Sequence, residues 1–323
     1  MKPDFRTIQT NGIKLRGAFA GESGPLVVFV HGFPESWYSW RHQIEPVARA
    51  GFRVVALDVR GYGGSDKPHP VEAYDMESIT ADIAGVIDTL APGEKAILIG
   101  HDWGAPSVWN TALLYPEKVR AVAALSVPYI PQGEMPFIDL VDAVFTKSGR
   151  FFYQVYFQEE GVAEAEMEAD VRAALRKFYY AISGDAPDST WPPDKKHGDT
   201  LLHRLPDPNP FPAWLTQADE DYYVGEFTNS GFRGPLNRYR NHRRDFAFLS
   251  PHKARAIDQP ALFIGGTRDL VLKMIPGLDV VALMKPYVTD LRGAHLIEGC
   301  GHWTQQERPE EVNRLLLDWL AGL

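Results

Sequence analysis

Short runs of consecutive apolar residues alternate, over the first third of the chain, with stretches whose apolar residues recur at helical spacing. Leu26 to Val30 (LVVFV), Arg53 to Val59 (RVVALDV) and Ala96 to Gly100 (AILIG) read as strands buried on both faces. Each ends at a glycine or a glycine-rich turn, the last residues before the chain must reverse. Between them, Trp37 to Ala50 and Met76 to Leu90 carry a helical period, seen in Ile79, Ile83, Val86, Ile87 and Leu90. Val119 to Val127 (VRAVAALSV) makes a fourth strand. This alternation predicts a mostly parallel sheet with helices on both faces.

After Pro128, Pro131 and Pro136 the pattern changes, which predicts that the chain leaves the sheet near residue 133. From 134 to 252 the composition is helical, aromatic and proline-rich. Val162 to Tyr180 reads as one helix there, and Trp191 to Trp214 as a proline-rich loop. Sheet-like runs resume at Pro260 to Gly265 and around His295 to Ile297, and an amphipathic helix, Pro309 to Leu320, follows. The expected organisation is a core made of 1–133 and 253–323, with 134–252 inserted as a cap.

Composition narrows the class. The 323 residues are 45% hydrophobic and 23% charged, enough for one large core. A net charge of −9 repels phosphate backbones and anionic lipid surfaces, so neither nucleic acid nor membrane is an expected partner. Cys300 is the single cysteine, which excludes an internal disulfide and leaves too little thiolate for a structural zinc site. It is expected to pack and carries no assigned role. The first residues lack a secretory apolar segment, and no apolar run of membrane-spanning length occurs, so a cytoplasmic location is the expectation.

The segment Gly100-His101-Asp102-Trp103-Gly104 follows a strand and opens a helix, the strand, sharp turn and helix of a nucleophile elbow with aspartate where serine is usual. A turn with Asp102 merely capping the next helix is the alternative reading of these five residues. As a nucleophile, a carboxylate is already ionised at neutral pH and needs no base to attack carbon. Serine attacking an alkyl or epoxide carbon would leave an ether that water cannot cleave, whereas aspartate leaves an ester that it can. The residue type therefore points to an alkylating substrate.

Breaking that ester needs a base, and a histidine oriented by a carboxylate is the usual device. Asp269, in GGTRD just past a strand, and His302, in GCGHW past the next, complete the chain order nucleophile, acid, histidine. Taken singly, Asp269 reads as a loop carboxylate and His302 as a buried polar histidine; their order relative to Asp102 favours chemistry. Charge on the ester carbonyl oxygen calls for backbone donors, for which the N–H groups of Phe33 and Trp103 are the candidates. Pro34 shapes that loop and is a candidate for a cis bond to Phe33. Phe33, Pro34 and Trp103 are expected to touch substrate. His31 and His101, at strand ends beside glycine, are expected to bond backbone rather than react.

Four segments, HGFPESWYSWRHQ at 31–43, DVRGYGGSDKP at 58–68, GHDWG at 100–104 and GCGHWTQQERP at 299–309, resemble the α/β-hydrolase family and within it the soluble epoxide hydrolases, across almost the whole chain. The resemblance implies an α/β-hydrolase fold, a mostly parallel eight-stranded sheet flanked by helices with an inserted helical cap. Haloalkane dehalogenases share most of these segments, and Trp103 does not discriminate the two. An epoxide oxygen departs as a strongly basic alkoxide and must meet an acid. The segments YQVYFQ at 153–158 and GFRGPLNRY at 231–239 are similar to epoxide hydrolase caps, and by position Tyr153 and Tyr239 match the paired tyrosines of that group. Tyr156 is the alternative ring, three residues along the same helix.

These residues predict an enzyme that converts small apolar epoxides and water to vicinal diols through an Asp102 ester, with no cofactor and no metal, as a monomer or homodimer. A haloalkane dehalogenase using the same aspartate is the principal alternative. A noncatalytic hydrolase-fold binding protein would be expected to show a broken triad, and a serine esterase would need serine at 102.

Overall fold

The computed structural model describes residues 4–274 and 279–323. Eight strands form one sheet: β1 (Asp4–Thr10), β2 (Ile13–Ala20), β3 (Leu26–Val30), β4 (Arg53–Leu57), β5 (Ala96–His101), β6 (Val119–Leu125), β7 (Ala261–Gly266) and β8 (Leu291–Ile297). Their spatial order is β1-β2-β4-β3-β5-β6-β7-β8. The pairs β1–β2 and β2–β4 are antiparallel and the rest parallel, which is the expected mostly parallel sheet.

Before β6 the helices are α1 (Ile44–Arg49), α2 (Met76–Leu90) and α3 (Gly104–Leu114); the insertion adds α4 (Phe137–Val144), α5 (Tyr153–Tyr156), α6 (Val162–Ala169), α7 (Val171–Ala181), α8 (Gln217–Ser230), α9 (Arg233–Tyr239) and α10 (His242–Leu249); α11 (Val280–Met284), α12 (Thr304–Glu307) and α13 (Pro309–Ala321) follow β7. Strands β3 and β5 are buried at every position, as continuous apolar runs between two helical layers must be. One layer packs Ile79, Ile83 and Ile87 of α2 and Val108 and Trp109 of α3 against Val28, Val30 and Leu98. The other packs Val312, Leu316 and Trp319 of α13 with Trp40 against Phe29, Ile97 and Ile99. A third apolar cluster lies in the insertion and reaches down to Phe33 and Trp303 of the core.

Two helix expectations change at residue level, and one hairpin was not expected. The stretch 37–50 is not one helix; Ser36 accepts from the Tyr38 amide and starts a short 3-10 turn, Trp37–Trp40, before α1. The helix expected over 162–180 breaks at Asp170, whose backbone is extended (φ −150, ψ 90) and whose side chain caps α7 by accepting from the Ala173 amide. The hairpin β1–β2 carried no strand expectation. Asp4 to Thr7 of β1 all face solvent at the sheet edge, so its apolar signal is weak.

Candidate active site

β5 ends at His101, and Asp102 follows with φ +49, a left-handed conformation that side-chain-bearing residues occupy at a cost of roughly 1–3 kcal/mol. The turn is possible because glycine stands on either side: a Cβ at Gly100 would lie 2.2 Å from the Gly104 carbonyl oxygen, and one at Gly104 would lie 2.0 Å from that of Val30. The turn places Asp102 just past the end of β5. Its Oδ1 accepts the Phe33 N–H at 2.7 Å, and its Oδ2 stands 3.3 Å from Nε2 of His302.

His302 follows β8 on a loop fixed by its own backbone. Its N–H donates to the Ile182 carbonyl at 3.0 Å, and its carbonyl accepts from Ser126 Oγ at 2.7 Å and from His101 Nε2 at 2.8 Å. Nδ1 of His302 lies 3.1 Å from both oxygens of Asp269, which also accepts the Val271 N–H at 2.8 Å. The three side chains thus form one line, Asp102, His302, Asp269, of which His302 and Asp269 are buried. Burial alone would lower the His302 pKa, but the flanking carboxylates outweigh it and hold the ring well above its ordinary value. Burial would raise Asp102; the hydrogen bond and charge of His302, the charge of His101 and the Phe33 amide bring it below the usual carboxylate value. The resting arrangement therefore favours an ionised Asp102 beside a protonated His302.

Across the cavity from this line stand two phenols. Tyr153 begins α5 and Tyr239 ends α9; both line the cavity that contains Asp102 and His302, with ring centroids 5.9 Å apart. Burial pushes both phenols above their ordinary pKa, and the nearby Asp102 charge adds to this, so both keep their protons at neutral pH. Tyr156 points elsewhere, donating its hydroxyl to Glu166 at 2.9 Å.

The family sequence profile described as "alpha/beta hydrolase fold" matches residues 25–309. Epoxide hydrolase A of Mycobacterium tuberculosis is 43% identical, over 99% of this chain and 98% of its own. This chain belongs to the epoxide hydrolase group of the α/β-hydrolase family. The crystal structure of epoxide hydrolase A from Mycobacterium thermoresistibile matches it with a TM-score of 0.92 and 44% identity over 99% of both chains. An epoxide hydrolase from an endophytic Streptomyces also reaches 0.92, at 46% identity, covering 99% of this chain and 96% of the other.

In this member of the family the cavity measures about 240 Å³. Phe33, Phe151, Phe178, Trp191, Leu270 and Met274 line it besides the polar groups. Pro34 and Trp103, expected to touch substrate, are not among the lining residues. The Phe33–Pro34 bond is cis, and the Pro34 carbonyl accepts from the Tyr179 hydroxyl at 2.6 Å. The Trp103 indole lies behind Tyr239, centroids 5.2 Å apart, with the Arg238 guanidinium stacked 4.4 Å from its ring centre.

The two strand-end histidines make backbone bonds, and one of them does more. His31 Nδ1 lies 2.9 Å from the Gly32 carbonyl and Nε2 accepts the Val59 N–H at 3.1 Å, which requires the neutral Nδ1–H ring. His101 instead places Nδ1 2.8 Å from the carboxylate of Glu35. Glu35 is fully buried, and its oxygens also accept from the Gly32 amide, Gln305 and Gln306. The pair joins the Phe33 loop to the His302 loop beneath the cavity. Residue-type reasoning missed Glu35, although its place in the HGFPE segment was a usable signal. Cys300 is buried, and burial pushes its thiol pKa up, away from reactivity.

Proposed function

We propose that this chain hydrolyses epoxides to vicinal diols in two steps, with residues 1–133 and 253–323 as core and 134–252 as cap. The observation that carries the reading is Asp102 facing the two phenols of Tyr153 and Tyr239 across one apolar cavity. In the first step Oδ2 of Asp102 attacks an epoxide carbon and the ring C–O bond breaks. The oxygen takes its electron pair and a proton from Tyr153 or Tyr239, and the phenolate regains a proton at the expense of His302. Ester formation removes the Asp102 charge, one of the influences that hold the His302 proton. The ring is then neutral and able to act as base.

In the second step His302, oriented by Asp269, takes a proton from water as the water oxygen bonds to the acyl carbon. Negative charge develops on Oδ1, which the Phe33 amide already meets; we assign the Trp103 amide as the second donor. Collapse expels the diol oxygen, which takes the second proton of that water, and restores carboxylate and imidazolium. Phe33 forms part of the apolar wall against the substrate, with Pro34 and Trp103 supporting it.

A haloalkane would use the same aspartate, but a departing halide has no use for two phenols as acids. The test is product analysis with styrene oxide and with 1-bromohexane. Diol from the first without bromide from the second is expected; bromide release without diol would overturn the reading.

A further inference from the structure

Tyr153 is held by its neighbour in sequence. The side-chain amide of Gln154 donates through Nε2 to Tyr153 Oη at 2.8 Å. An amide nitrogen only donates, so the phenol oxygen accepts here and its single proton is left for another acceptor. The carbonyl end of the same amide, Oε1, lies 2.8 Å from Nε2 of His242 at the start of α10, 88 residues away. That contact is a hydrogen bond only if His242 carries its proton on Nε2.

The ring is well fixed. It packs between Trp103 and Phe137, with centroids 5.6 and 5.7 Å away. Burial, with the charges of Arg238 and Arg243, lowers its pKa to about 3, so it is neutral at physiological pH. A second glutamine fixes the frame: Gln158 Nε2 donates to the backbone carbonyls of Gln154 at 2.7 Å and Tyr239 at 2.9 Å, tying α5 to the end of α9. Gln154 is itself 7% exposed.

The direction of the amide matters. Turned end for end, Gln154 would present Oε1 to Tyr153, and the phenol would donate its proton there. It would then have none to offer an epoxide oxygen. Against a His242 ring protonated on Nε2 the reversed amide would point an N–H at an N–H, whereas a ring protonated on Nδ1 would accept it.

We propose that His242 and Gln154 form a positioning relay that keeps the Tyr153 hydroxyl proton aimed into the cavity. This rests on the reading of Tyr153 as a donor to the epoxide oxygen. His242 sets the amide, the amide sets the phenol, and neither touches the substrate.

The test separates alkylation from hydrolysis by single-turnover rapid quench with styrene oxide, in wild type, Gln154→Leu, Gln154→Glu, His242→Leu, Tyr153→Phe and Tyr153→Phe/Gln154→Leu. Gln154→Leu should slow ester formation by about 10-fold or more, leaving ester hydrolysis within about 2-fold. Gln154→Glu, close in shape but able only to accept when ionised, should be slower still. His242→Leu should slow ester formation by roughly 3-fold or more. In the Tyr153→Phe background, adding Gln154→Leu should change ester formation by less than about 2-fold, because Gln154 acts through the phenol.

An equal loss in both backgrounds, or unchanged alkylation by the Gln154 variants where Tyr153→Phe slows it, would overturn the relay while leaving the Tyr153 role intact. Should Gln154→Leu fail to fold, Gln154→Glu and His242→Leu decide it, and Gln154→Glu faster than wild type overturns it. If Tyr153→Phe alone has no effect on alkylation, the donor reading of Tyr153 falls, and the relay with it.

Discussion

The Phe33 amide donates to Oδ1 of Asp102 at 2.7 Å, so the donor assigned to the oxyanion is already on the nucleophile before any substrate arrives. The two oxygens have different partners: Oδ1 meets the Phe33 amide and Oδ2 stands 3.3 Å from Nε2 of His302. The Phe33 bond also means that no loop must move between the steps: the oxygen that becomes the ester carbonyl is in place for charge to develop on it. Preorganisation of this kind is where electrostatic catalysis is strongest.

Gly32 makes that approach possible, since a Cβ there would stand 2.3 Å from Asp102 Oδ1. Gly32→Ala should therefore push the Phe33 amide off the carboxylate. The expected loss in kcat/KM is about 10²–10³-fold, the magnitude of one lost oxyanion donor. Steady-state kinetics beside a thermal melt would check it, and wild-type kcat/KM in a folded variant would contradict the assignment.

Either phenol alone retains a partner, so Tyr153→Phe and Tyr239→Phe should each slow alkylation by about 10–100-fold, and the double variant by more than either. Rapid-quench measurement of ester formation is the readout. Unchanged alkylation in the double variant would mean that the epoxide oxygen finds its proton elsewhere.

The fate of oxygen is fixed by water attacking the acyl carbon rather than the substrate carbon. A single turnover with excess enzyme in ¹⁸O-water should give unlabelled diol and place the label in the peptide that holds Asp102. Label in the diol would indicate direct attack of water on the epoxide.

His242 makes a separate prediction about stability. Its folded pKa, about 3, lies below the ordinary 6.5, so below pH 6.5 the unfolded chain takes up a proton that the folded chain refuses. Stability contributed by the neutral ring is present above 6.5 and falls as pH drops toward 3. Between pH 4.5 and 5.5 this residue should contribute a slope of about 1.4 kcal/mol per pH unit. Urea unfolding of wild type and His242→Leu across that range should show the slope reduced by about that amount; equal slopes would mean that His242 is charged in the folded protein.

How much of this was legible in the sequence depended on the range of the interactions. Strand β3 and helix α2 have the bounds that their apolar patterns predict, because burial on both faces, or on one helical stripe, writes itself into consecutive residues. Asp170 broke an expected helix because a lone aspartate inside a helical pattern reads as an exposed position until its capping bond is seen. Asp102, Asp269 and His302 stand out because each follows a strand in a glycine-bearing turn. Gln154 and His242 carry no such local signature. Their meaning comes from a contact between residues 88 apart, and a glutamine beside a tyrosine is unremarkable until the fold brings a histidine to it. Lys195 was equally invisible, although it lies 4.6 Å from the Phe151 ring centre and 5.2 Å from that of Trp191, behind the cavity wall.

The covalent ester on Asp102 is the central claim, and intact-mass spectrometry of a His302→Gln variant after exposure to styrene oxide tests it most directly. Attack by an ionised carboxylate needs no base, so the first step should survive while hydrolysis stalls. The account predicts a mass increase equal to the epoxide, mapped to Asp102 by peptide analysis. A folded variant that gains no mass, or one labelled at another residue, would contradict it.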